Sequence, residues 1–595
     1  MTGKTDAKGV ITAYQYDALN RLTKIDFGAE TDIIYTYDVC GNGKGRLCSV
    51  TDQSGNTSYA YSAKGEMTKE TKVIQGRTYV TSYQFDKNGN LQQIAYPSGR
   101  TVSYALDVAD RTISVTTTPA GGSAQTLASS ISHKPFGGIA SLTYGNGLAR
   151  TVGYDQQYRI NSIVTGAVQN VSYTLDANGN ITGITDNLNP TKNKSFGYDA
   201  LDRLTAGTGP WGSLAWTYDG VGNRQTQVEN GATSTYTYQT GTNKLTGVSG
   251  PSPLAFSLDS NGNTTSENAK TYTYNQNNRL IKATESWTMK GEYAYSASGQ
   301  RATKTAGGTT TVYHHDQSGN LIAETTSAGA TVAEYIWLES QPLAKIDPGG
   351  TRHIHTDHLG TPQVMTSSTG AIVWQIESKP FGETVSLTGT ALLNLRFPGQ
   401  YYDAETGLHQ NWFRDYMPKT GRYVEPDRVT VASALYQRAL AHRSLRSSLD
   451  TDAIVWHYHL LSQKRLRLLT LLWDPERQDP YLSAGNNPLT MVDQNAEFWG
   501  PIQVGVEVGV ISLVIGLPVY CYITCNQCTS PGNCKNYPNY NDPNDDAVQS
   551  TKNWGESNSN CTTACVTGAL TIGYNALGTA AKAVGKKIGQ CLLGN

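Results

Sequence analysis

"YQYDALNRL", Tyr14–Leu22, is restated along the chain as "YTYDVCGNGKGRL" from Tyr35, "YDALDRL" from Tyr198 and "YTYNQNNRL" from Tyr272. Whether this phrase is catalytic or architectural decides the fold. The second aromatic or apolar position of each phrase falls at Tyr16, Tyr37, Tyr61, Phe85 and Leu106. It resumes at Tyr154, Leu175, Tyr198, Tyr218, Tyr238, Leu258, Tyr274, Tyr295, His315 and Trp337. Most steps are 20 to 24 residues. "LTYGNG" at Leu142 weakly fills the gap after Leu106, and the step from Leu258 to Tyr274 is short. Periods of this size mark an array of like units, a solenoid or a related strand assembly.

Each unit has a physical logic. In a strand, alternate side chains share a face, so Y-x-Y presents two rings together. The next residue, Asp, starts a turn by accepting backbone N–H groups. "NGN", at Asn88–Asn90 and Asn178–Asn180, supplies residues that tolerate positive φ. Leu91, Ile181, Leu204 or Leu280 then returns an apolar side chain to the core. One hairpin is marginal alone, so neighbours must pair edge to edge. The expected fold is mainly β: a long, coiled antiparallel sheet with stacked aromatics. An active site is built once, whereas turn chemistry recurs with every turn. Asp17, Asp38, Asp199 and Asp219 are therefore read as turn residues; sugar binding by exposed Tyr faces is the competing reading.

Composition agrees. The 595 residues include 36 Tyr and 60 Gly, only 16% are charged, and the formal net charge is -1. Negligible net charge gives the wall no general attraction to nucleic acid. The N-terminus lacks the apolar stretch of a signal peptide and reads as the inside of a repeat, with a start at a fold boundary as the alternative.

The rhythm changes near Gly349. "HTDHLGTPQVMTSSTGAIVWQ" starts at His355, and "GQYYDAETGLHQNWFRDYMPKTGRYVEPDR" starts at Gly399. His353, His355, Asp357 and His358 cluster in sequence but form no zinc spacing with enough ligands, and hydrogen-bonded structural roles are preferred. No metal or cofactor is called for. With "YLSAGNNPLTMVD" from Tyr481, these phrases resemble the Rhs/YD-repeat family and its repeat-associated core module, over roughly residues 1 to 493.

The resemblance implies a hollow shell wrapped around the chain's own variable C-terminal segment, often a toxin. Delivery would be by a secretion system or toxin complex in interbacterial or host-directed competition, with an immunity protein as a further partner for the tail. The protein would be secreted or at the cell surface. A cell-surface adhesion or carbohydrate-binding repeat protein is the alternative. The corresponding division is a repeat wall over 1–348, the core module over 349–432 with its closing phrase at 480–493, and a tail over 494–595.

Relatives release the passenger with an aspartate pair in D-P-x-G phrases, which makes a self-cleaving aspartyl peptidase the enzymatic alternative. The matching positions are Asp427 and Asp493. Both phrases depart from the pattern: Arg428 and Gln494 stand where prolines belong, the glycines are missing, and so is the usual Leu cleavage position. Between them, residues 433–479 read as a basic amphipathic helix, either an insertion or an out-of-frame segment.

The tail is of another kind. Val508 to Ile523 is almost wholly apolar but short for a membrane span, and the last residues read as a compact helix suited to membrane contact. Seven of the nine cysteines fall here: Cys521, Cys525, Cys528, Cys534, Cys561, Cys565 and Cys591. Disulfides, a zinc site using Cys525 and Cys528, and free thiols all stay open. No His or Arg follows Asp493, which excludes the common His-based nuclease and peptidase arrangements from the tail alone.

Overall fold

The recurring phrase builds a recurring turn. At Asp17 the backbone N–H donates to Arg21 O at 3.0 Å, and Asn20 N–H donates back to Asp17 O at 3.0 Å. The Asp17 carboxylate accepts from Leu19 N and Arg21 N, both at 2.9 Å. The third residue after the Asp takes a left-handed conformation: Asn20 (φ 59), Asp110 (φ 60), Asp202 (φ 61), and glycine at Gly89, Gly179 and Gly222. Each turn closes on a register shift in the ladder, as between Gln15 and Tyr16. This is a type I turn running into a bulge, whose left-handed residue Gly, Asn or Asp supplies most cheaply.

The second Tyr has a separate task. Tyr37 Oη donates to Leu22 O at 2.9 Å, Tyr198 to Ile181 O at 2.8 Å, Tyr218 to Leu204 O at 2.7 Å and Tyr295 to Leu280 O at 2.7 Å. Trp337 does the same through Nε1 to Leu321 O. Each ring thus ties its unit to the preceding one. The Arg of "RL" lies over the next unit's ring, as Arg21 over Tyr37 at 4.4 Å and Arg279 over Tyr295 at 3.9 Å. The first Tyr of the phrase goes to the core: Tyr272 and Tyr293 are buried.

The computed structural model describes residues 2–135, 137–427 and 481–493, with the short strand Gly500–Pro501. Within these, 37 strands from Gly3–Thr5 to Thr384–Gly389 form one meander in which every strand pairs antiparallel with the next. A separate four-stranded sheet follows: Gln400–Asp403, Leu408–Asn411, Arg414–Met417 and Arg422–Tyr423. Tyr481 O accepts Tyr423 N–H at 3.0 Å, so the closing phrase joins this sheet's edge. The helix expected over 433–479 and the seven tail cysteines lie outside the described residues.

Distant parts of the meander lie side by side. Asn261 Nδ2 reaches Asp6, Gln276 N–H reaches Glu30, Ala297 N–H reaches Asp52 and Gln317 Nε2 reaches Met67 O. Tyr96 Oη reaches Tyr335 O, and Tyr144 Oη reaches Ile354 O. The separation is 255 residues at Asp6 and 210 at Tyr144. One apolar cluster accordingly combines Tyr96, Val102, Val115 and Leu127 with Ile322, Ile336 and Leu343. Burying each such aliphatic side chain contributes about 1.5–3 kcal/mol.

Candidate functional site: two carboxylates on one arginine

The four-stranded sheet sits on the Asp turns of the meander. Its hairpin tip, Trp412–Phe413, donates from Trp412 Nε1 to Ser298 O at 2.8 Å, while Arg279 donates to Trp412 O. Gly299 and Gly319 hold φ of 79° and 87°, and a Cβ there would overlap the Phe413 and Trp412 rings. Arg422 reaches Asn223 and Asn243 O, Tyr481 Oη donates to Gly262 O, and Asn486 and Asn487 bond Gly222 O and Asn180. Successive turns therefore meet one module, and the backbone it uses is pinned on both sides.

That pinning assembles the candidate site. Arg414 begins the third strand of the module and is buried. Its Nη2 lies 3.3 Å from Asp427 Oδ2 and 3.2 Å from Asp493 Oδ2. Tyr423 Oη donates to Asp493 Oδ2 at 2.9 Å, and its ring lies 3.7 Å below the Arg414 guanidinium. Asn411 Nδ2 donates to the Asp493 main-chain O at 2.6 Å. Asp493 is 1% exposed at its side chain and Asp427 19%. Burial opposes the Arg414 charge, but Asp427 and Asp493 outweigh it and hold its pKa above the ordinary arginine value. Burial first, and the Asp493 charge second, push the Tyr423 phenol far up, so it stays a donor.

The two sequence-nominated aspartates are thus gathered on one guanidinium. Arg414, Tyr423 and Asn411 escaped sequence reading, because nothing local links Arg414 to a residue 79 positions on. The arrangement sets one buried and one partly exposed carboxylate on a single cation. A donor fixed on the Asp493 carbonyl polarises it in the manner of an oxyanion donor.

A second buried cluster adjoins the first on the opposite face of the same strand. Arg301 Nη1 pairs with Asp403 at 2.7 Å, and Lys304 with Asp403 and Glu405 at 2.9 and 3.3 Å. Asp415 N–H donates to Glu425 Oε2 at 2.8 Å, with both residues buried. Burial raises Asp415 to about 6 despite Arg301 and Arg279. Burial, then the Asp415 charge, raises Glu425 well above its usual range. Two negative charges this close and this buried disfavour each other, so both carboxyls hold their protons more tightly than usual.

The histidines have structural partners. His353 and His355 pack edge-on to Tyr144, His355 Nε2 contacts Thr366 Oγ1 at 2.9 Å, and His358 packs on Tyr173 and contacts Leu489 O at 2.7 Å. Burial lowers His353 to about 4. Cys40 and Cys48, outside the cysteine-rich tail, form a disulfide across the extended turn of the second phrase. Among the described residues no helix is long and apolar enough to cross a membrane.

Comparison with known proteins agrees with this architecture. The family described as Teneurin YD-shell matches residues 151–445, and RHS Repeat matches 1–31 and 85–123. The tRNA3(Ser)-specific nuclease WapA of Bacillus spizizenii is 28% identical over 272 residues, 43% of this chain and 11% of that protein. The double-stranded DNA deaminase toxin A of Burkholderia cenocepacia is 40% identical over 83 residues, 13% of this chain and 6% of that protein. The crystal structure of TcdB2-TccC3 superposes with a TM-score of 0.65 at 17% identity, covering 83% of this chain and 27% of that one. The chain therefore spans only a small part of these relatives' length. With the same turn repeated through an unbroken meander, RHS Repeat matching within it and Teneurin YD-shell matching its later part and the four-stranded sheet, the chain is a member of the Rhs/YD-repeat family, related to components of polymorphic toxin systems.

Proposed function

We propose that the meander is the wall of a hollow shell that encloses the chain's own C-terminal segment and serves its delivery as part of a toxin system. The observation that carries this reading is the lateral contact between strands some 200 residues apart, from Asp6–Asn261 to Tyr144–Ile354. Successive courses of one sheet, with a module seated on its turns, are what an enclosing wall requires. The relatives' names supply the toxin context, and secretion or cell-surface placement, toxin-complex partners, an immunity protein and membrane contact through the tail belong to the same proposal. The test is protection. A specific protease site placed within residues 494–595 of the full chain should resist cleavage in the native protein and be cut after unfolding. Rapid cutting of the native protein overturns enclosure.

A second reading, self-cleavage near Asp493, is supported by the joint hold of Arg414 on Asp427 and Asp493 and by the Asn411 donor on the Asp493 carbonyl. One carboxylate would activate water and the other protonate the leaving amide. Intact-mass measurement of the purified chain should reveal a fragment beginning near residue 494, absent in Asp427→Asn and Asp493→Asn. A single full-length mass in the unmutated protein sinks this reading and leaves the shell untouched.

A further inference from the structure

A cavity of about 140 Å³ lies where the strands Gln169–Leu175 and Ile372–Ser378 meet the segments around Arg396 and Leu489. Trp211, Phe196, Tyr173 and Phe397 supply aromatic walls, and Arg396 and Lys192 line it with positive charge. No carboxylate among the described residues pairs with either cation. Arg396 is buried, and its Nη1 donates only to the Leu393 and Leu395 carbonyls at 2.8 and 3.0 Å. Its guanidinium covers the Tyr402 ring at 4.7 Å, and its buried Nε has no hydrogen-bond partner. Burial with no counter-charge lowers its pKa to about 10.

The acids lining the cavity are already engaged. Glu377 pairs with Lys194 at 2.5 Å, Asp357 accepts from Leu359 N, Thr361 N and Gln363 Nε2, and Asp186 accepts from Leu188 N and Asn189 N. Lys379 is likewise held by Glu229 and Glu383. A buried guanidinium is normally kept by an opposing charge, and leaving it without one costs more than the pair itself returns. Here the missing charge coincides with a cavity whose size matches one known to admit a single aromatic ring.

We propose that this cavity is a binding site for a small organic anion: a carboxylate carrying one ring, or an apolar body of that size. The carboxylate meets Arg396 and Lys192 while the ring packs among Trp211, Phe196 and Tyr173. Aromatic packing supplies the contact area, and the charge-assisted bonds supply the sign selectivity.

The experiment uses the full chain and fluorobenzoate, followed by fluorine NMR. Saturable binding is expected with a dissociation constant at or below about 1 mM, a scale set by the efficiency of small ligands. The neutral fluorobenzyl alcohol should bind about tenfold or more weakly, and Arg396→Gln should weaken fluorobenzoate by a similar factor. Lys192→Gln, on a half-exposed turn, should weaken it less, and it carries the test if the Arg396 variant does not fold. Inorganic phosphate should fail to displace the probe. Absence of saturable binding, equal binding of the alcohol, indifference to Lys192→Gln, or full displacement by phosphate each overturns the proposal.

Discussion

Tyr218 shows what one residue contributes to a repeat. Its hydroxyl reaches back to Leu204 O at 2.7 Å, and Arg203 lies over its ring. Tyr218→Phe keeps the packing and removes only the tie, leaving a carbonyl short of a donor. A cost of about 1 kcal/mol is expected, which amounts to roughly fivefold faster hydrogen exchange through the strand Leu204–Gly209. Unchanged exchange there would show that the hydroxyl is incidental. Asp199 in the preceding turn plays the other recurrent part, holding Leu201 N, Arg203 N and Arg203 Nε. Such roles are legible in sequence because donor and acceptor lie within four residues of each other. The disulfide of Cys40 with Cys48 is equally local, since both fall in the one lengthened turn.

At the scale of elements, the four-stranded module depends on glycines of the wall it rests on. Gly319 is left-handed, and a Cβ would enter the space of Trp412, so Gly319→Ala should cost about 1–3 kcal/mol and loosen the Trp412–Phe413 tip. A red shift of tryptophan emission at constant strand content is the expected readout; an unaltered spectrum and stability would refute the close approach. The carboxyl pair Asp415 and Glu425 gives the same module a pH dependence. Both carboxyls bind protons more tightly when folded than when unfolded, so the native state is favoured by acid over this range. That contribution is complete below their unfolded values of 3.8 and 4.5 and is lost as pH rises through about 6 and beyond. Denaturant titrations should find the module less stable at pH 8 than at pH 5, by about 1 kcal/mol or more, and Glu425→Gln should flatten that slope. A stability that climbs with pH over the interval would contradict the raised carboxyl pKa values.

For the whole molecule, the decisive contacts join successive courses of the sheet. Arg100 Nε and Glu334 Oε2 lie 2.5 Å apart and nearly enclosed, beside the Tyr96–Tyr335 bond. Glu334→Ala leaves Arg100 without its partner and should cost about 3–5 kcal/mol. Strands near Tyr96 and near Tyr335 should then lose exchange protection together; loss confined to one of them would mean the courses are not coupled. Hairpin order, the turn at each Asp and the aromatic placement follow from the sequence itself, because bulge turns and strand alternation depend on the nearest few residues. The family resemblance nominated Asp427 and Asp493 as well. Tertiary structure alone decided that Arg414 holds both, that Asp415 and Glu425 are buried side by side, and that Arg396 faces a cavity without a counter-ion. Those relations join residues tens to hundreds of positions apart, and the meeting points are set by the accumulated twist of many strands, a quantity no single stretch of the chain encodes.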